Sequence, residues 1–130
     1  MSKMDNTIVH FEIPAADVEK MKRFYEGLFG WKIERDPGPI EYWMIYTVPV
    51  DEKGIALRPG VNGGMIKKES AEQKPVNYIS VESIDKSIEK VKKLGGKIVT
   101  PKQEVPTVGW IATAVDPEGN PIALLQSQRT

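Results

Sequence analysis

His10 is the only histidine in the chain, and Glu12 stands two residues after it. Side chains two apart share one face of a strand. An imidazole, which titrates near neutrality when unperturbed, would then have a carboxylate beside it. A histidine base oriented by a glutamate can remove a proton next to a carbonyl. The plainer reading keeps His10 as a half-buried strand residue that lines a cavity without turnover. The lone histidine also limits metal chemistry to one imidazole per chain. The absence of cysteine removes disulfides, thiolate zinc sites, iron–sulfur clusters and a catalytic thiol.

A second group is apolar and flat. Trp43, Tyr42, Tyr46, Tyr78 and Trp110 lie in strand-like stretches, and Met44 and Met65 add pliable apolar surface. Trp43, Tyr46, Met65, Tyr78 and Trp110 are the candidate ligand-binding set for a planar or small organic molecule, although each aromatic alone reads first as core. Alternation sends Tyr42, Met44 and Tyr46 one way and Trp43, Ile45 and Thr47 the other. The pattern leaves open which set meets a ligand. Gly60-Val61-Asn62-Gly63-Gly64 is rich in glycine but lacks the Lys-Ser/Thr ending of a phosphate loop, so it reads as a tight hairpin.

These side chains need strands and helices to hold them. The 130 residues are room for one domain (1–130), and 40% hydrophobic content supports a core. Ile8 to Ile13 alternates as a strand that Pro14 ends. Asp17 reads as a helix N-cap, Val18, Met21, Phe24, Tyr25 and Leu28 as the apolar stripe, and Gly30 as the stop. Short strands follow at Trp31–Arg35 and Glu41–Val48, with weaker ones at Gly54–Leu57 and Gly64–Ile66. The order then recurs. Val76–Val81 is a strand, and Ser83 or Asp85 caps a helix with the stripe Ile84, Ile88, Val91 and Leu94. Lys97–Thr100, Val108–Val115 and Pro121–Gln126 are strands, the last two joined by the turn Asp116-Pro117-Glu118-Gly119-Asn120. The two helix starts lie about half the chain apart. The expectation is an α+β fold of two βαβββ modules, about 7–66 and 75–127, forming an open trough.

His10-Phe11-Glu12-Ile13-Pro14, Phe24-Tyr25-Glu26-Gly27-Leu28-Phe29-Gly30-Trp31, Leu94-Gly95-Gly96 and Asp116-Pro117-Glu118-Gly119-Asn120 occur in one order along the chain. That ordered set resembles the vicinal oxygen chelate superfamily, which includes glyoxalase I, bleomycin- and fosfomycin-resistance proteins, extradiol dioxygenases and methylmalonyl-CoA epimerase. The resemblance implies a trough that usually holds a divalent metal on four strands. Carried over position by position, the first ligand matches His10. The second falls among Gly64, Met65 and Ile66, the third on Val76 or Tyr78, and the fourth on Ala123. Gln126 lies three residues further, on the opposite strand face. One donor of four survives, whereas a catalytic zinc normally has three protein ligands.

The function expected from this is a glyoxalase/bleomycin-resistance-like protein that binds a small organic molecule in a metal-poor trough. No cofactor is expected, and a divalent metal is disfavoured. The alternative is a lyase or isomerase of glyoxalase type using His10 and Glu12, with or without a weakly held metal. A third possibility is a structural partner without a ligand. The resemblance also implies a homodimer. Lys+Arg and Asp+Glu both number 18, so net charge offers no pull toward nucleic acid or an anionic membrane. The longest apolar run, Tyr42 to Tyr46, is far short of a membrane span, and the first residues carry no signal-type stretch. A soluble, cytoplasmic protein is expected.

Overall fold

A computed structural model describes residues 5–128 of the chain. Among them are eight strands and two helices, in the order β1 (Ile8–Ala15), α1 (Val18–Phe29), β2 (Lys32–Arg35), β3 (Trp43–Tyr46), β4 (Gly63–Lys67), β5 (Val76–Ser80), α2 (Ile84–Lys93), β6 (Lys97–Val105), β7 (Gly109–Val115) and β8 (Pro121–Ser127). The chain divides into two compact units, 10–75 and 76–128, the latter joined by residues 5–9.

The two units repeat one pairing scheme. In the first the strands run β2-β3-β4-β1, with β2–β3 and β3–β4 antiparallel and β4–β1 parallel. In the second they run β6-β7-β8-β5, again two antiparallel pairs and one parallel pair. Each helix follows the first strand of its unit, so the α+β fold consists of two βαβββ modules. Residues 5–9 join the second unit through Thr7 C=O, which accepts from Ser80 N–H (2.9 Å), and through Asn6 Nδ2, which donates to Ser80 C=O (2.9 Å).

Alternation decides which face each side chain takes. Under α1, Phe11, Ile13 and Ala15 of β1 meet Ile33, Trp43, Ile45 and Met65, together with Val18, Met21, Tyr25 and Trp31. Each of the buried aliphatic side chains Ile33, Ile45 and Met65 contributes about 1.5–3 kcal/mol. Tyr25 stacks on Trp31 at 5.2 Å, closing the end of that core. Under α2 the core is Val81, Ile84, Ala112 and Leu124, with Ile88, Val91 and Trp110 packed against it. Phe24 and Leu28, expected in the stripe of α1, are more than half exposed (56% and 58%). The short sheet has width for Val18, Met21 and Tyr25 only. Leu94 is also exposed, because it caps α2 rather than continuing it.

The helix starts and stops follow the sequence signals. Asp17 accepts from Lys20 N–H (3.1 Å), Ser83 from Lys86 N–H (3.2 Å), and Gly30 is left-handed at φ 73°. Lys90, Lys92 and Lys93 lie at the negative end of α2. Several segments differ from expectation, among them the third strand, which is Trp43–Tyr46 rather than Glu41–Val48. β1 continues past Pro14 to Ala15, whose carbonyl accepts from Lys68 N–H (2.9 Å). Gly54–Leu57 forms no strand: the Asp51 carboxylate takes the N–H groups of Lys53 and Ile55 (both 2.9 Å), leaving one bridge between Val50 and Ala56. β4 takes in Gly63 as well as the expected Gly64–Ile66, and runs on to Lys67. β6 runs through Pro101 to Val105, since an edge strand with register shifts on either side of Thr100 tolerates a missing donor.

Removing the Asp17 cap tests this account of the first helix. Asp17→Ala is expected to lower unfolding stability by about 1 kcal/mol, measured by urea denaturation. Asp17→Asn should retain most of it.

Candidate functional site

With Phe11, Ile13 and Ala15 committed to the helix, His10 and Glu12 leave β1 on the opposite, helix-free face. The register across the unit puts Glu12 opposite Gly64, Gly64 opposite Met44, and Met44 opposite Glu34, one row of that face. Tyr46 and Lys32 are the neighbouring pair on the same side.

Glycine at 64 has a specific consequence. A Cβ placed there would collide with the phenol of Tyr42, whose ring lies over the Gly64 backbone. From that position Tyr42 Oη reaches His10 Nε2 at 2.7 Å, with the two rings within 17° of parallel. Which atom donates depends on the imidazole tautomer. With the proton on Nε2, the imidazole donates to Oη. With the proton on Nδ1, the phenol donates to Nε2. Burial holds the His10 pKa below its ordinary 6.5, so at neutral pH the ring is uncharged and able to donate and accept.

The other expected residues divide by face. Tyr46 is on the helix-free face of the first unit. Tyr78 is on the helix-free face of the second, in register with Ala123. Trp43, Met65 and Trp110, expected to line a ligand cavity, are instead core residues under the helices. Their strands alternate so that Trp43 follows Ile45, Met65 is fully buried, and Trp110 lies in step with Ala112. Arg35 and Lys102 sit over Trp43 and Trp110, each 5.8 Å from the ring centre. Tyr42 counts among the strand aromatics of the sequence, whose pattern does not place it against His10. Its signal was the glycine pair at 63–64: glycine within a strand marks a close approach by another group.

A chelated divalent ion of the superfamily's kind does not fit these donors. Gly64 offers none, and the space above it holds the Tyr42 ring. Ala123 is buried and also offers none, Tyr78 brings a phenol, and His10 Nε2 is already engaged by Tyr42. Among the described residues no three His, Cys, Asp or Glu side chains converge as a metal group. Gln126 points to the helix side, where its Oε1 accepts from Ile84 N–H at 2.8 Å.

Two outcomes test this geometry. Gly64→Ala should displace the phenol and cost about 1–3 kcal/mol, and the same change in a Tyr42→Ala background should cost clearly less. The second outcome concerns acid. Because the folded state takes up the His10 proton less readily than the unfolded chain, stability should fall as pH drops from about 6.5 toward the lower folded midpoint. That loss should vanish in His10→Gln, and NMR titration should place the His10 midpoint below 6.5.

Known proteins bear on the same geometry. The mycobacterial protein named "Putative glyoxylase CFP32", from Mycobacterium tuberculosis, is 26% identical over 124 residues. The match covers 91% of this chain and 44% of that protein, so the chain spans less than half the length of this relative. A "Glyoxylase-like domain-containing protein" of Didymella fabae is 33% identical over 93 residues, 66% of either chain. Among solved structures, hypothetical protein BH1468 from Bacillus halodurans superposes with a TM-score of 0.67 at 14% identity, covering 98% of both chains. Methylmalonyl-CoA epimerase from Mycobacterium tuberculosis does so with a TM-score of 0.63 at 12% identity, covering 95% of this chain and 92% of its own. These structures share the fold. The sequence pattern of one family matches residues 7–124, nearly the whole chain, and by that match the protein belongs to the Glyoxalase/Bleomycin resistance protein/Dioxygenase superfamily.

Proposed function

We propose that the protein binds a small organic molecule on the helix-free face around His10 and Tyr42, without an ion chelated by its own side chains. The observation that carries this reading is the 2.7 Å contact between His10 Nε2 and Tyr42 Oη, made possible by Gly64. A neutral imidazole against a phenol forms a compact polar grip of the kind that fixes the orientation of a small ligand. A ligand carbonyl or hydroxyl suits this grip, because the pair can present either a donor or an acceptor. Tyr46, on the helix-free face of residues 10–75, and Tyr78, on that of the other unit, remain proposed ligand contacts, each within its own unit. The assembly proposed is a homodimer, and nucleic acid and membranes are not proposed partners.

A second reading makes the protein a lyase or isomerase. Its support is that His10 is held neutral and that Glu12 leaves the same strand face two residues away. A neutral imidazole is the form that can accept a proton from carbon next to a carbonyl. The base would be His10 Nδ1, which takes the carbon-bound proton and later returns it, while Nε2–H keeps donating to Tyr42 Oη and the Glu12 carboxylate offsets the imidazolium charge.

A thermal-shift screen with carbonyl compounds, thiol adducts and aromatic antibiotics, paired with a turnover assay, separates the readings. Stabilisation without turnover, lost in Tyr42→Phe and His10→Gln, is the outcome expected for binding. Turnover abolished by His10→Ala would establish the enzyme instead. Metal analysis of protein purified without chelator should give far less than one ion per chain. A stoichiometric transition metal would overturn the metal-poor site. Light scattering should give twice the 14.5 kDa chain mass.

A further inference from the structure

A second feature of residues 10–75 lies apart from His10 and Tyr42. A cavity of about 390 Å³ is lined by Lys32 and Glu34 of β2, Tyr46 of β3, Val48 and Val50 of the following segment, and Arg58. Neither His10, Glu12 nor Tyr42 lines it. Its volume falls within the range of small-molecule sites, roughly 300–1,000 Å³.

The wall of this cavity is tied down by hydrogen bonds. Asn62 Oδ1 accepts from the N–H groups of Thr47 (2.7 Å) and Val48 (3.0 Å), and Thr47 Oγ1 donates to Val61 C=O (2.6 Å). Leu57 N–H donates to Pro49 C=O (2.9 Å), next to the bridge between Val50 and Ala56. The residue before Arg58 is thus anchored to the wall opposite it, and the segment is shaped before any ligand arrives. Preformed walls spare a ligand the cost of ordering a loop.

Its charges are unequal. Lys32 Nζ pairs with Glu34 Oε2 at 3.3 Å. Among the described residues Arg58 makes no ion pair or hydrogen bond. One planar guanidinium is therefore left over beside an aromatic ring and two valines. Guanidinium geometry matches carboxylate and phosphate oxygens in a two-point contact.

We propose that this cavity is a second ligand site, taking a small organic anion whose head is bound by Arg58 and whose apolar body lies against Tyr46, Val48 and Val50. The site shares Tyr46 and the helix-free face of residues 10–75 with the His10–Tyr42 reading, but draws on none of His10, Glu12 or Tyr42.

The test is an amide NMR titration of the full chain with phenylacetate, phenyl phosphate and the neutral 2-phenylethanol. Saturable shifts at Thr47, Val48, Val50 and Arg58 are expected with at least one anion. The tighter anion identifies the head as carboxylate or phosphate. Arg58→Gln should weaken that anion by about tenfold or more, as loss of a charged hydrogen bond does, and Arg58→Lys should weaken it less. Binding should persist in His10→Gln, which separates this site from the first. The proposal is overturned if neither anion shifts these residues, if the alcohol binds as tightly, or if Arg58→Gln leaves affinity unchanged in a protein whose spectrum is otherwise native.

Discussion

The phenol of Tyr42 can reach His10 only because residue 64 has no side chain. That single steric allowance organises the helix-free face of residues 10–75. It brings a tyrosine from outside β3 over the backbone of β4 and onto an imidazole of β1. It also fills the volume in which a longer residue at 64 would have offered a ligand atom. Burial then keeps the imidazole uncharged, so the pair acts through hydrogen bonds rather than through a fixed positive charge. The chemistry available here follows from an omission as much as from the residues present.

The same unit shows how little is needed to direct a side chain. The two-residue period of β1 sends Phe11, Ile13 and Ala15 under α1 and His10 and Glu12 away from it. A shift of one residue would exchange the sets, burying a carboxylate against Ile45 and Met65. The apolar contacts of the core, about 1.5–3 kcal/mol for each large aliphatic side chain, thus fix the orientation of the polar pair. Stability and site geometry are the same constraint seen from opposite faces of one sheet.

Much of the fold was legible in the sequence. Asp17, Gly30 and Ser83 carry local chemistry that ends helices whatever surrounds them, and the repeated strand order follows from patterning. What failed was decided by tertiary context. Pro14 and Pro101 read as strand ends, yet an edge position and local irregularity accommodated Pro101. Gly54–Leu57 alternates plausibly, but the Asp51 carboxylate offers its N–H groups a closer partner. For the proposed site, His10 and Glu12 share one face of β1, as their spacing implies. Trp43, Met65 and Trp110 were misplaced because an aromatic strand has two equivalent faces until the helix selects one. The contact of Tyr42 with His10 was not foreseen because it depends on a glycine on another strand, a relation that no local window contains.

The pairing of residues 5–9 with Ser80 has a bearing on how the chain is made. These residues leave the ribosome before everything in 10–75, yet their partner emerges after it. The unit 10–75 can close from a continuous stretch of chain, whereas the other must wait and bridge a long loop, with the entropic cost such closure carries. Until Ser80 is synthesised, the start of β1 is an unsatisfied strand end, open to pairing with other nascent chains. Biosynthesis therefore treats the duplicated halves unequally, despite their matching architecture.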